Sequence, residues 1–393
     1  MKNHLKNKIE LEHIAFAKPE IGEEEIALVT KCMRSGWLTT GPLVRQFEQE
    51  FAEYVGATNA IAVNSATSGL LLAHEALGIG SGDEVITTPY TFSATSMVIH
   101  HLGATPVFVD IEKDSFNINP DLIEAAITPK TKAITIVHFA GLPCDMDRII
   151  AIARKHNLKV IEDAAHALPA KYKGKLIGNL DSDATIYSFY ATKTITTGEG
   201  GMVVTRSDNM AKQLKIKRLH GISSDVFDRY TSTKPKWYYQ IVDAGHKCNM
   251  TDIAAAIGIP QLAKADKFQQ KRQAIKEKYF AAFKDLPITL PKDVSGENDL
   301  HSWHLFVIRL NDDAPVSRDD FIKTMAEKYA VGCSVHFIPL NHHPFWQKRL
   351  GVDEASFTVA TDEYRRAVSL PIYTKMSDDD VDRVITACRE ILS

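Results

Sequence analysis

Residues 131–163 read TKAITIVHFAGLPCDMDRIIAIARKHNLKVIED, and this stretch decides the fold. A β-rich run, KAITIVH, is followed by an amphipathic helical stretch, DMDRIIAIARKHN, and by a second β-rich run, KVIED. Two strands joined through a helix lie parallel, because parallel neighbours need a long crossover. Outward from this unit the pattern repeats. Further candidate strands are AIAV around Ile61, EVITT around Ile86, TPVFVD around Phe108, ATIYSF around Tyr187 and GMVVT around Val203. Helical patterns separate most of them, for instance NPDLIEAAI after Phe116, whereas a loop alone joins Ile161 to Ile186. The reading is α/β, with a mainly parallel sheet flanked by helices.

After Thr251 the rhythm changes to a long helical stretch, TDIAAAIGIPQLAKADKFQQKRQAIKEKYFAAF. Isolated strands WHLFVIRL and GCSVHFI follow, with helices around Phe321 and at SDDDVDRVITACREIL. This predicts a large α/β domain over residues 1–261 and a smaller C-terminal α+β domain over residues 262–393. Composition agrees with a globular enzyme-sized chain: 393 residues, 45% hydrophobic and 24% charged, exceed what one compact core requires. Forty-six Lys and Arg against 49 Asp and Glu leave a net charge of -3 without long runs of one sign, which speaks against nucleic acid as a partner. The stretch from Val85 to Val109 lacks Asp, Glu, Lys and Arg, but Pro89, Pro106 and two histidines interrupt it, so no membrane span is expected. Five cysteines, odd in number and never spaced CxxC, fit a reducing cytoplasm, and the polar N-terminus MKNHLKNKIELEHIAF lacks the apolar core of a secretion signal.

Three short segments carry chemistry. In VIEDAAHA a hydrophobic strand ends at Asp163, placing a carboxylate at the carboxyl edge of the sheet, where open α/β folds bind ligands. In IYSFYATKTITTGEGG a strand ending near Ser188 leads to Lys193 and a glycine-rich turn at the same edge. Each alone has an ordinary reading, a buried structural acid or a solvated surface cation. Together they are the two groups pyridoxal phosphate chemistry demands: an acid that keeps the pyridine nitrogen protonated and a lysine that forms a Schiff base. The third segment, AVNSATSGLLLAHEAL, stops a strand at Asn64 and opens a helix at Ser65–Ser68. That is either a simple N-cap or a phosphate site built from free N–H groups, with Thr67 and Ser188 adding hydroxyls.

With these segments in order, the chain resembles the fold-type I pyridoxal-phosphate enzymes, specifically the DegT/DnrJ/EryC1/StrS nucleotide-sugar aminotransferases. The resemblance runs from GWLTTGPLVRQFEQEFAEYVG through NSATSGL, YTFSAT, VHFAG, VIEDAAHA, SFYATKTITTGEGG and RLHG to HKCNMTDI, WHLFVIRL and VHFIPL. It implies Lys193 as the cofactor-bearing lysine and Asp163 as the partner of the ring nitrogen. It further implies Phe92 stacked on the ring, Ala66, Thr67 and Ser188 as phosphate ligands, and His166 beside the ring. Asn249 is implied to reach the phosphate held by a partner subunit, so that a homodimer shares its sites; Cys248 stands where a tyrosine is common in the family.

Trp303, His304 and His336 sit in blocks that line the sugar site in relatives, although a Trp-His pair opening a strand is also ordinary core. Arg229 in DVFDRY reads either as a contact to nucleotide phosphates or as a loop arginine. His342 and His343 do not form a metal site, since adjacent side chains of an extended chain diverge and no third ligand is evident.

The activity implied is transfer of the L-glutamate amino group to a nucleotide-linked keto sugar, with ping-pong kinetics. Lys193 stands where dehydrating relatives carry histidine, so transamination is expected. SATSGL, DAAHA, VITACREIL and especially HSWHLFVIRL look most like enzymes that aminate C4 of UDP-linked 4-keto sugars, including the lipid A pathway. Amination at C3 of a dTDP-linked sugar and a regulatory protein that merely binds the cofactor are the other readings. A nicotinamide oxidoreductase is disfavoured, because no GxGxxG follows the first strand.

Overall fold

The computed structural model describes residues 12–223, 238–294 and 296–393. All seven expected strands form, and they share one sheet. In chain order they are β1 (Asn59–Val63), β2 (Glu84–Thr87), β3 (Thr105–Phe108), β4 (Thr131–Val137), β5 (Lys159–Asp163), then after a small hairpin of β6 (Lys171–Tyr172) and β7 (Lys175–Leu176), β8 (Ala184–Ser188) and β9 (Gly201–Thr205). The spatial order is β1-β9-β8-β5-β4-β2-β3, and every pairing is parallel except the two made by β9.

Alternation along each strand feeds two cores, one per face. Ala60, Ala62, Ile134, Ile136, Met202 and Val204 join the core under helix α2 (Pro42–Val55). Ile61, Val63, Ala133, Ile161, Ile186 and Val203 join the core under helix α3 (Ala66–Ala76). Burial on both faces explains why these strands read as unbroken apolar runs.

The C-terminal part is a three-stranded antiparallel sheet, β10 (Ile288–Thr289), β11 (Phe306–Leu310) and β12 (Ala367–Leu370), in that spatial order. Tyr279, Phe306, Phe321, Leu370 and Val384 lie in its core. The long helical stretch is two helices, Asp252–Ala263 and Ala265–Phe283, separated at Lys264. The second of these contributes Ala265 and Phe268 to the large core and Ile275, Tyr279 and Phe283 to the small one. GCSVHFI is not a strand; the chain here makes only isolated bridges, Val331 just before it to Ile14 and Ser334 within it to Ser369. The first of these brings the N-terminal segment onto the C-terminal core, with Ile14 N–H bonded to the Ala330 carbonyl (2.9 Å) and Gly332 N–H to the Ile14 carbonyl (2.8 Å). Among the described residues no helix is long and apolar enough to cross a membrane, and all five cysteines are free thiols.

One close approach fixes how β9 meets α3. A Cβ added at Gly201 would stand 2.7 Å from the Ala66 nitrogen and 2.7 Å from the Ser65 carbonyl carbon, both of them backbone. Nothing there can swing aside, so the first residue of β9 has to lack a side chain. Gly201→Ala is therefore expected to lower stability by about 1–3 kcal/mol. A chemical denaturation midpoint equal to wild type would refute the claim that this contact is tight.

Candidate active site

Parallel strands β5 and β8 end side by side, with Asp163 opposite Ile186 and Ser188 two residues further on. Their carboxyl ends open into a cavity of about 470 Å³. Ala66, Thr67, Phe92, Asp163, His166, Ser188, Lys193, His304 and His336 all line it. Nine of the twelve residues singled out from the sequence thus meet in one place. They arrive from the start of α3, the loop before helix α4 (Ala94–His101), the ends of β5 and β8, and the C-terminal part.

Asp163 is 6% exposed. Burial raises its pKa; opposing this are a hydrogen bond from the Thr95 hydroxyl (2.8 Å), one from the Ala165 N–H (3.2 Å) and the charge of Lys193. Thr95 is in turn bonded to the hydroxyl of Thr91 (2.8 Å). The neighbouring acid, Glu162, leaves β5 on the other face, where it is engaged by His138 (2.8 Å) and Thr185 (2.7 Å). Asp163 is therefore the carboxylate available to the cavity.

Lys193 sits in the β8–β9 loop, its N–H bonded to the Tyr190 carbonyl (2.9 Å). Desolvation pushes its amine down to about 8, and the charge of Asp163 only partly offsets this. The three histidines of the cavity are held neutral. Burial takes His336 down to about 4 and His166 and His304 well below the ordinary imidazole range, with the Lys193 charge acting in the same direction. In His166 the Ala140 N–H donates to Nδ1 (3.2 Å), so the ring proton of the neutral form is on Nε2.

The start of α3 is open toward the cavity. Ser68 N–H donates to Ser65 Oγ (3.1 Å) and Gly69 N–H to the Ser65 carbonyl (3.0 Å). The N–H groups of Ala66 and Thr67, both cavity residues, have no acceptor among the described residues. An unfilled helix N-terminus with hydroxyls from Thr67 and Ser188 nearby is an anion site. With an acid and a depressed lysine in the same cavity, the donor set fits a phosphorylated pyridine aldehyde. Phe92 is 62% exposed on the cavity rim, its ring 6.0 Å from that of Phe337.

Two residues are not brought in. Trp303 is fully buried in the small core, stacked on His301 (centroids 3.8 Å apart) and packed against Phe280 and Phe306. Asn249 extends the edge beyond β1 through a bridge to Val63, its amide donating to Thr40 (2.7 Å), and it lines a separate depression with Glu48 and Arg218. Arg229 lies outside the described residues. Conversely, Thr91, Thr95, Phe16 and Phe337 were not read from the sequence as site residues. Thr95 lies in the first turn of α4 and Thr91 two residues before its cap at Ser93, so no helical spacing marks the pair in the sequence.

Comparison with known proteins agrees with this geometry. The family model of the DegT/DnrJ/EryC1/StrS aminotransferase family matches residues 19–389. The spore coat polysaccharide biosynthesis protein SpsC of Bacillus subtilis is 48% identical over 380 residues, covering 96% of this chain and 97% of its own. Among solved structures, the PLP-form of Spr1654 from Streptococcus pneumoniae is 34% identical with a TM-score of 0.89, covering 97% of this chain and 100% of its own. PseC of Helicobacter pylori, an aminotransferase involved in the biosynthesis of pseudoaminic acid, is 29% identical with a TM-score of 0.89, covering 97% of this chain and 98% of its own.

The Lys193 environment makes a prediction about pH. Its neutral amine becomes the major form as pH passes about 8. Loading of cofactor-free protein with pyridoxal phosphate, followed by visible absorption, is expected to quicken up to that pH and flatten above it. A rate that keeps climbing toward about 10 would indicate an ordinary lysine.

Proposed function

The chain belongs to the DegT/DnrJ/EryC1/StrS aminotransferase family and is a pyridoxal-phosphate-dependent sugar aminotransferase, and from that premise we propose that it transfers the amino group of L-glutamate to C4 of a UDP-linked 4-keto sugar. The product is a 4-amino sugar for a surface glycan or a lipid A-type molecule, made in the cytoplasm. One observation carries the reaction type: Lys193, with its amine brought down to about 8, opens on the same cavity as the buried Asp163. The C4 position rests on the blocks HSWHLFVIRL and VITACREIL, and the glycan setting on the spore coat polysaccharide role of SpsC.

Each residue then has a task. Thr67, Ser188 and the free N–H groups at the start of α3 hold the phosphate. When bound, pyridoxal phosphate supplies an electron sink that makes the donor's α-proton removable. Lys193 Nζ takes that proton from the glutamate α-carbon and, in the second half-reaction, returns one to the sugar carbon that becomes the amine-bearing centre. An amine near 8 does both at neutral pH, because a useful fraction is in each form. Asp163, whose charged form the hydrogen bonds from Thr95 and Ala165 favour against the effect of burial, would stabilise a positive charge on the ring nitrogen. Phe92 would cover one face of the bound ring, His166 would stand beside it, and His304 and His336 would contact the sugar. Trp303, assigned to the sugar site from the sequence, supports that wall from the core behind it. Arg229 is assigned to the nucleotide phosphates.

Asn249 lines a separate depression and not the cavity of its own chain, and we assign it to the phosphate of a partner chain in a homodimer with two composite sites.

The assignment is tested by assaying glutamate with a panel of UDP- and dTDP-linked 3-keto and 4-keto sugars. Preference for a dTDP-linked 3-keto sugar would move the reaction to C3, and cofactor binding without turnover of any sugar would favour a regulatory role. Lys193→Ala is expected to abolish steady-state transamination, and Asp163→Asn to leave the fold intact with a large loss of rate. Wild-type activity in either variant contradicts the residue's role. For the shared site, Asn249→Ala is expected to weaken cofactor binding roughly ten- to a hundredfold, the equivalent of about 1.5–3 kcal/mol for one hydrogen bond to a charged group. Mixing Lys193→Ala chains with Asn249→Ala chains then restores tight binding at one site of each heterodimer. No recovery despite proven subunit exchange would remove Asn249 from the partner's site.

A further inference from the structure

Arg272 and Arg309 are both almost completely buried, at 3% and 2% exposure, and they differ in one respect. Arg309 is paired with Glu363 (3.2 Å). Arg272 has no carboxylate partner among the described residues, and burial alone pulls its guanidinium down to about 10. A lone buried cation is costly, and an apolar residue would fill such a place without that cost.

What Arg272 does instead is specific. Its Nη1 donates to three backbone carbonyls, those of Ile372 (2.7 Å), Trp303 (3.0 Å) and His304 (3.4 Å). The Trp303 and His304 carbonyls belong to the two peptide units on either side of the His304 α-carbon. Holding both units fixes φ and ψ of His304, and with them the direction of its side chain. Ile372, the third acceptor, is itself a cavity residue.

Two further observations lie on the same segment. Trp303 has a φ of 52°, a left-handed conformation unusual for a bulky residue and held only where the surroundings enforce it. Here they do: its N–H donates to His301 Nδ1 (2.9 Å), its indole lies on the His301 ring at 6°, and Lys276 stands over its face at 5.2 Å. Next along the chain, His304 lines the cavity, its ring 4.4 Å from that of His166, and its Nδ1 is buried with no partner among the described residues. Neither ring nitrogen of His304 is hydrogen-bonded among the described residues, so the ring edge that lines the cavity is free to bond a ligand.

We propose that Arg272, with Trp303, is a positioning residue for His304, presenting the imidazole as the hydrogen-bonding contact for a hydroxyl of the sugar substrate. The proposal rests on the reading of His304 as a sugar contact. The guanidinium charge also acts on His304 in the direction that keeps its ring neutral and able to accept a hydrogen bond.

The test uses the holoenzyme and measures the two half-reactions separately from the absorption of the bound cofactor. In Arg272→Gln the second-order rate constant with the keto sugar is expected to fall about ten- to a hundredfold, the scale of an ångström-level misplacement, while the glutamate half-reaction stays close to wild type. In protein labelled with ¹⁵N at histidine, the His304 ring signals move and titrate at higher pH, because a nearby cation is gone. Added to His304→Ala, Arg272→Gln costs the sugar half-reaction nothing more. Arg272→Met, which keeps the length of the side chain but removes the donor and the charge, carries the same rate expectation if the glutamine variant does not fold.

Equal losses in both half-reactions, losses that add, or unmoved His304 signals overturn the proposal. A normal loss in His304→Ala with none in Arg272→Gln overturns the positioning alone. A wild-type sugar rate in His304→Ala overturns the sugar-contact reading beneath it.

Discussion

A carboxylate taken almost wholly out of water is the constraint on which the rest of this molecule depends. Asp163 stays useful only if it stays charged, and burial works against that. The opposing contacts come from three separate elements: the Thr95 hydroxyl from α4, the Ala165 N–H from the turn after β5, and Lys193 from the β8–β9 loop. The parallel pairing of β5 with β8 brings the last of these close enough to matter. The same burial drives the lysine down and the acid up, so one low-dielectric setting tunes both groups toward each other. Reversal of β9 next to β8 then closes the loop carrying Lys193, and its first residue, Gly201, lets the chain pass against the start of α3.

Much of this architecture was legible in the sequence, for a physical reason. Strands buried on both faces have to be apolar throughout, so all seven strands of the main sheet stood out as β-rich runs. The small sheet was less legible. Its edge strands are two and four residues long, too short to show a period, and β12 follows directly on helix Thr358–Arg366. GCSVHFI has strand-like composition but, with Val331 just before it, meets the N-terminal segment and β12 only at single bridges. Local propensity cannot foresee that its partners would be so brief.

The site divides in the same way. Asp163 and the Ser65–Ser68 turn were visible because one ends a strand and the other opens a helix at the edge where ligands bind, and Lys193 because it follows closely on a strand that ends at that edge. Thr95 was not, since a threonine in the first turn of a helix looks like helix-start chemistry whether or not an acid lies beyond it. For Trp303 the ordinary reading holds as to burial: the indole is core. Its conformation is what no composition reveals, because the left-handed backbone is enforced by His301 and Arg272 from elsewhere in the chain. Arg272 itself reads in sequence as one more charge on a polar helix, QQKRQ, and only its three carbonyl partners distinguish it from its neighbours.

The bridge between Ile14 and Val331 makes the completion of the cavity a long-range event. Phe16, which lines the cavity and stacks on His336 at 5.2 Å, precedes every strand of the large sheet, and His336 follows all of them. The sheet needs neither residue for its own pairings, whereas the wall they form needs chain from both sides of it in sequence. Asp163 and Lys193 thus belong to the part of the site with the shorter loops to close, and the wall of Phe16 and His336 to the part with the longest, so the contact of highest sequence separation within the site is the one that encloses the cavity.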